Sequence, residues 1–237
     1  MVTTDNSVKD MKMMENKIGI TEGCDPTLNL KWIDWVREGK PAILITKMPR
    51  LLLPMLQKSD NIIVHCTITG LGGSKIEPNI DLPQDSLKAY HQICDLLSPD
   101  RVVLRIDPIV YWRGYKPILK SLVKEAEGRI RISFIDVYPH VSQRFAAKNI
   151  PLSYNSFHMP LEIRKEIWEE LGKPELCCEP DMPSVPCVSK FDCKILGVEP
   201  SKERKGQRVS CGCLANKREL LLQPPKCTYG CLYCYWK

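Results

Sequence analysis

From Ile18 to Cys178 the chain alternates short apolar runs with stretches of helical periodicity, and that alternation leaves few folds open. The strand-like runs are Ile18–Thr21, Ala42–Thr46, Asn61–Thr69, Arg101–Ile106, Ile130–Asp136 and Leu176–Cys178. Between them lie helical patterns over Leu28–Glu38, Arg50–Gln57, Asp85 or Ser86 to Leu97, Pro117–Glu127, Ser142–Lys148 and Pro160–Leu171. Gly39, Gly128 and Gly172 stand where helices should stop. Pro54 belongs in a first turn or at a kink. Repeated strand–helix units of this length require parallel strands joined by right-handed crossovers. The runs are almost continuously apolar, as parallel strands covered on both faces should be. The expected fold is therefore α/β, a partial (β/α) barrel over residues 17–179, preceded by a loose leader, residues 1–16.

Residues 180–237 change character: proline, cysteine and charge dominate and periodicity fades, so this region needs something besides a core to fold it. Nine of the twelve cysteines lie between Cys177 and Cys234, a crowding that a disulfide scaffold would not show. Metal sites in a reducing compartment account for it better. Cys66 and Cys94 read as small buried hydrophobes, and Cys24 stands apart from the crowd. No apolar run approaches the roughly 18 residues of a membrane span, and Met1–Lys17 has no apolar stretch of the signal-peptide kind. A cytoplasmic protein without a membrane partner is expected. The net charge of +6 suits a polyanionic partner, although a solvated surface explains it as simply.

The closing stretch Cys227-Thr-Tyr-Gly-Cys231-Leu-Tyr-Cys234 spaces three thiols as C-x3-C-x2-C. Thiolates are soft ligands, and a short wrapped loop brings their sulfurs together around an iron–sulfur cluster. Three thiolates on a four-iron cluster leave one iron open to a reactant. Zinc is the competing reading, but zinc modules favour paired C-x2-C units and a fourth ligand. In parallel folds ligands bind beyond the C-terminal strand ends. Here those ends carry Thr46, Lys47, Thr67, Thr69, Arg105, Asp107, Ser133 and Asp136, with Glu77 in a loop within reach. Arg105 and Asp107 alternate within one strand and share a side, either the barrel interior or a face toward a helix. His65 reads as a packed mid-strand histidine and His91 as a surface one; His140 and His158 carry no motif.

The C-x3-C-x2-C spacing, with Tyr233 before the third cysteine, resembles the signature of the radical S-adenosylmethionine (radical SAM) enzymes. The ordered runs Thr46-Lys-Met-Pro49, Thr67-Ile-Thr-Gly70, Ile76-Glu-Pro-Asn79, Arg105-Ile-Asp-Pro108, Ser133-Phe-Ile-Asp136 and Cys211-Gly-Cys213 extend the likeness. Together they resemble an uncharacterised radical-SAM-like family with a C-terminal cysteine cluster, akin in its cluster sequence to spore photoproduct lyase. The resemblance implies a 4Fe–4S cluster on Cys227, Cys231 and Cys234, SAM as cosubstrate, and a flavodoxin- or ferredoxin-like electron donor. It places SAM and substrate among the strand-end residues and Tyr233, and points to a nucleic-acid base, a pyrimidine in DNA, or a nucleotide as substrate. It assigns no catalytic side chain. By the same resemblance Cys178 and Cys187 join Cys211 and Cys213 in an auxiliary 4Fe–4S cluster or zinc site, with Cys177 and Cys193 as competitors. The usual barrel carries its cluster loop after the first strand. Glu219–Gln223 is then that strand moved to the end of the order, or else an extended connector. The alternative to an enzyme is a non-catalytic, metal-stapled nucleic-acid-binding or scaffold protein.

Overall fold

The computed structural model describes residues 16–112, 114–206, 208, 210–221 and 227–236. Seven strands form one sheet: β1 (Ile18–Ile20), β2 (Ala42–Thr46), β3 (Ile62–Thr67), β4 (Val102–Ile109), β5 (Arg129–Phe134), β6 (Glu175–Leu176) and β7 (Lys217–Glu219). Their spatial order is β6-β5-β4-β3-β2-β1-β7, and every pair is parallel. The sheet curls into a half barrel, the α/β partial barrel that the alternation predicts. The helices are α1 (Trp32–Arg37), α2 (Pro49–Leu52), α3 (Pro83–Leu97), α4 (Lys116–Lys124), α5 (Pro139–Ala147), α6 (Leu161–Glu170) and α7 (Lys190–Ile195).

The two faces of the sheet have different covers. Ala42, Leu44, Ile62, Val64, Cys66, Val102, Leu104, Ile106 and Ile132 point outward to Trp32, Trp35, Leu52, Tyr90, Ile93, Leu119, Val141 and Phe145 of the helices. Ile18, Ile20, Ile43, Ile63 and Val103 point inward, and what packs on them is the cysteine-rich segment: Cys177, Cys178, Cys187, Val188, Cys193, Leu196, Val198, Cys213 and Leu214. Burial of each aliphatic side chain on either face contributes about 1.5–3 kcal/mol. The inner face is thus filled at one end and left open at the end where the strands stop.

Several boundaries depart from the sequence expectation. The first helix is confined to Trp32–Arg37, because Pro26 to Leu28 form a turn tied by Asp25. Arg50–Gln57 splits into α2 and a 3-10 turn, Leu53–Met55, with Pro54 inside the turn. β4 continues to Ile109, with a register shift between Ile106 and Ile109. Pro108 has no N–H for a ladder, and falls within that irregularity. The cysteine-rich segment holds one more helix, α7, started by a capping box in which Ser189 and Asp192 each satisfy the other's backbone N–H. β7 covers Lys217–Glu219 rather than Glu219–Gln223; Leu220 and Leu221 follow it, and residues 222–223 lie outside the described residues.

Candidate active site

The C-terminal strand ends open on a cavity of about 670 Å³, within the usual range for small-molecule sites. Its walls include Thr46, Lys47, Thr67, Arg105, Asp107, Ser133 and Asp136 from the strands, and Cys227, Cys231, Tyr233 and Cys234 from the final loop. Thr69 and Glu77, placed at the site by sequence, join it through hydrogen bonds described below. Each element that positions these groups follows from local sequence. Residues at the ends of parallel strands share one rim, and the loop after β7 reaches that rim because β7 pairs in parallel with β1.

Glu77 is the hinge of one side. Its carboxylate, almost fully buried, accepts from Thr69 Oγ1 at 2.7 Å, from Lys47 Nζ at 3.3 Å and from the Tyr233 hydroxyl in a short hydrogen bond. Lys47 also donates to the Asp107 carbonyl at 3.0 Å and lies over the Tyr233 ring, 4.9 Å from its centroid. Burial opposes the Lys47 charge, but Glu77 and the other negative groups outweigh it, so its pKa sits above the ordinary lysine value. A lysine, a glutamate, a threonine and a tyrosine that lie far apart in sequence are thus one network.

The loop itself is held by backbone contacts. Leu232 N–H donates to the Ile76 carbonyl at 3.0 Å, and Asn79 Nδ2 donates to the Thr228 carbonyl at 2.7 Å. Arg144 clamps the far side, giving Nη1 to the Cys234 carbonyl at 2.6 Å and Nη2 to the Trp236 carbonyl at 2.9 Å. Gly230 takes φ +68°, a left-handed turn that a side chain would resist. Cys231 and Cys234 are half-buried and Cys227 is exposed. Burial pushes the Cys231 thiol up to about 12 and raises that of Cys227 as well.

Opposite the loop, Asp107 accepts from Arg105 Nε at 2.7 Å and from the Ser133 hydroxyl. Burial would raise its pKa, but the Arg105 guanidinium and Ser133 hold it below the usual carboxylate range. Arg105 does face the interior, where its remaining N–H groups turn downward onto the thiols of Cys187 and Cys177, at 3.6 and 3.9 Å. Asp136 pairs with His158 at 2.7 Å and Arg208 at 2.6 Å.

Among the wall residues that went unmarked in the sequence reading are Asp25 and Cys24. Asp25 accepts from Thr46 Oγ1 at 3.1 Å and from the Lys47 N–H at 2.7 Å, and burial nonetheless raises its pKa. Cys24, beside it, also lines the cavity. The one available signal was the turn-forming run Gly23-Cys-Asp-Pro-Thr27 after a strand, the place where ligand-binding loops fall. His65 is fully buried in β3, as expected of a packed histidine, but neither of its ring nitrogens has a partner. Cys66 and Cys94 are buried in the outer core, while His91 is half-buried beside Glu125 and Glu127.

None of the twelve cysteines is in a disulfide. Among the described residues no three or more His, Cys, Asp or Glu side chains stand in an arrangement that would hold a metal ion. No described helix is long and apolar enough to cross a membrane.

Fold and site together define a class: an α/β half barrel whose strand ends open on a cysteine-lined cavity. Within that class the chain belongs to the family described as a domain of unknown function, DUF1848, whose model matches residues 36–236. No curated protein and no solved structure matches it.

Proposed function

We propose that the protein is a radical SAM enzyme whose cluster loop comes after β7, a permuted form of the radical SAM partial barrel. The observation that carries this reading is the juxtaposition of three thiols from one loop with the polar ends of parallel strands across a single cavity. The donor set suits a cluster with one open iron: Cys227, Cys231 and Cys234 come from a tight loop, and the cavity beside them has room for a cosubstrate. The order of the sheet favours the permutation, since β7 stands next to β1 and leads into the loop.

With a cluster and SAM bound, reductive cleavage of SAM would supply a 5′-deoxyadenosyl radical that takes a hydrogen atom from the substrate. The chain's own residues bind and orient. Glu77, Tyr233, Thr69 and Lys47 fix the loop against β2 and the loop after β3, and Lys47 offers a cation to a carboxylate. Asp107, held ionised by Arg105, offers an acceptor to an ammonium or a ribose hydroxyl, and Thr46, Thr67, Ser133 and Asp136 complete the polar rim. The electron donor is of flavodoxin or ferredoxin type, and the setting is the reducing cytoplasm. For the substrate we favour a nucleic-acid base, a pyrimidine in DNA or a nucleotide. The outer part of the cavity carries Arg144 and Arg208 with Tyr138, Tyr235 and Trp236, groups able to meet phosphate and stack on a base.

The test is anaerobic reconstitution with iron and sulfide, followed by an assay for 5′-deoxyadenosine from SAM and a strong reductant. Product formation that depends on Cys227, Cys231 and Cys234 supports the enzyme. Stoichiometric zinc, no iron and no SAM cleavage would favour a metal-stapled binding protein instead.

A further inference from the structure

Lys202, Arg204, Lys205 and Arg208 are the densest run of basic side chains in the sequence, interrupted by a single acid, Glu203. Only Arg208 belongs to the cavity wall. The run lies on an arm that folds back on itself. Lys205 N–H donates to the Cys213 carbonyl at 2.7 Å, Ala215 N–H donates to the Glu203 carbonyl at 2.9 Å, and Arg204 faces Leu214 in an antiparallel bridge. The base of the arm is tied by Asn216, which accepts from the Ser201 N–H at 2.7 Å and donates to the Glu199 carbonyl at 2.9 Å. Cys213 and Leu214 are buried against the inner face of the sheet. The returning strand is therefore the inner layer of the arm and the basic strand its outer one. Lys202, Arg204, Lys205 and Arg208 are all exposed. Among the described residues the side chains of the first three have no hydrogen bond or ion pair. Arg208 pairs with Asp136 at 2.6 Å on the rim. The arm thus carries positive charge over the open side of the half barrel to the mouth.

At the mouth this charge meets aromatic rings. Tyr235 and Trp236 line the cavity, are 46% and 36% exposed, and set their rings 5.0 Å apart. Tyr138, also on the wall, is braced edge-on by Phe157 at 4.9 Å. A ring face takes a stacked base, and cations beyond it take the phosphates; together they make a surface for an unpaired strand. A free nucleotide inside the cavity would leave Lys202, Arg204 and Lys205 unused, since they stand outside its walls. A duplex holds its bases in the stack, out of reach of the rings. An acidic protein would meet the cations but not rings that line a cavity.

We propose that the arm over residues 202–208 is a phosphate-binding track for a single-stranded nucleic acid, which lays one unpaired base against Tyr138, Tyr235 and Trp236. What happens to that base rests on the function proposed for the cavity; the phosphate contacts need neither cluster nor SAM.

The experiment is fluorescence anisotropy of the intact chain with a labelled mixed-sequence single strand of DNA or RNA and with the matching duplex, over a range of salt. The single strand should bind about tenfold or more tighter than the duplex, and a mononucleotide should compete poorly. Lys202→Ala/Arg204→Ala/Lys205→Ala should lose about tenfold or more in affinity. Its plot of log affinity against log salt should be flatter by about 2, from three phosphate contacts at roughly 0.7 each. Lys88→Ala/Lys124→Ala/Lys148→Ala, which removes the same charge from exposed positions on the helical side, should bind as wild type. Trp236→Ala should lose roughly tenfold with the salt slope unchanged, because a stacked base displaces no counterion. Circular dichroism shows which variants are folded, and Lys202→Gln/Arg204→Gln/Lys205→Gln gives a second reading of the same loss. Preference for DNA or for RNA names the partner, and either supports the track. Equal losses in the arm and helix variants, tighter binding to duplex, or no binding to any strand would overturn it. So would an acidic protein of flavodoxin type that binds the arm while no oligonucleotide does. Strand binding without 5′-deoxyadenosine formation would sink the enzyme alone, and SAM cleavage without strand binding the track alone.

Discussion

The mouth cysteines and the buried cysteines differ in how the chain presents them. Cys227, Cys231 and Cys234 belong to one loop, and the contacts that hold that loop go to its backbone and its tyrosines rather than to its sulfurs: Ile76, Asn79 and Arg144 grip Leu232, Thr228 and Cys234 through peptide groups, and Glu77 takes the Tyr233 hydroxyl. The sulfurs themselves face a cavity. The buried group is assembled from three pieces of chain, and within it the Cys177 and Cys187 sulfurs touch each other and Arg105. A site held by its backbone keeps its ligands available for exchange with a cosubstrate. Thiols packed among the apolar side chains of the inner face are part of a core, and removing one loosens the packing around it. Sulfur count alone would have treated the two as equivalent.

The sharpest way to break this comparison is to delete one thiol from each set. Cys231→Ala should abolish SAM cleavage outright while the thermal transition of the barrel stays within a few degrees of wild type. Cys213→Ala should act in the opposite sense, exposing residues 180–218 to protease at least about tenfold faster, which corresponds to roughly 1.4 kcal/mol of local opening. Limited proteolysis with mass spectrometry, run beside the 5′-deoxyadenosine assay, reads both. Identical behaviour of the two variants in both measurements would erase the distinction.

A smaller effect is expected at Glu77. Glu77→Gln keeps the shape but leaves the half-buried Lys47 ammonium without its carboxylate, and hydrogen bonds to charged groups contribute about 1.5–3 kcal/mol. SAM affinity, read by equilibrium binding, should fall roughly ten- to a hundredfold, with Tyr233 no longer fixed. Unchanged affinity in a folded, loaded variant would remove the Lys47–Glu77–Tyr233 network from the site.

Arg105 sharpens the comparison because it touches both sets of groups. Arg105→Ala should weaken SAM or substrate binding by about tenfold through loss of the partner that holds Asp107. It should also loosen the packing around Cys177 and Cys187, which its N–H groups touch, and so lower the thermal transition. Binding isotherms that overlay wild type would make Arg105 a structural ion pair only. The smallest effect belongs to Arg144. Arg144→Ala removes two hydrogen bonds to a partly exposed loop end and should cost about 1 kcal/mol, seen as faster amide exchange over residues 231–236 with SAM cleavage retained.

Much of the site was legible because chemistry and position coincide in parallel folds. Thr46, Lys47, Thr67, Arg105, Asp107, Ser133 and Asp136 end apolar runs, and ends of parallel strands share a rim. Glu77, a loop carboxylate that reads as solvated in isolation, is buried because Tyr233 arrives from the far end of the sequence. No local pattern carries that contact. Asp25 was missed for a similar reason: its partners Thr46 and Lys47 come from the next strand. The choice between Cys177 and Cys178 was out of reach, since adjacent residues in an extended chain point to opposite sides. Here Cys178 adopts φ +58°, which breaks the alternation, and both side chains are buried with the same cluster. The early end of β7 follows from Glu219, whose carboxylate turns back to accept from the Glu22 and Gly23 N–H groups at 3.0 Å each instead of continuing an exposed strand.

The pairing of β7 with β1 also has a kinetic side. Both strands are three residues long, and a neighbouring contact, Lys17 Nζ to the Ala215 carbonyl, spans 198 positions of sequence. Contacts of such separation form late, because the loop entropy must be overcome before they stabilise anything. They also open readily, since β7, like β6 at the other edge, has a partner on one side only. The strand that delivers the Cys227 loop is therefore, with β6, one of the two weakly protected edges of the sheet. Transient fraying there would give metal a route to the three thiols without unfolding the barrel behind them.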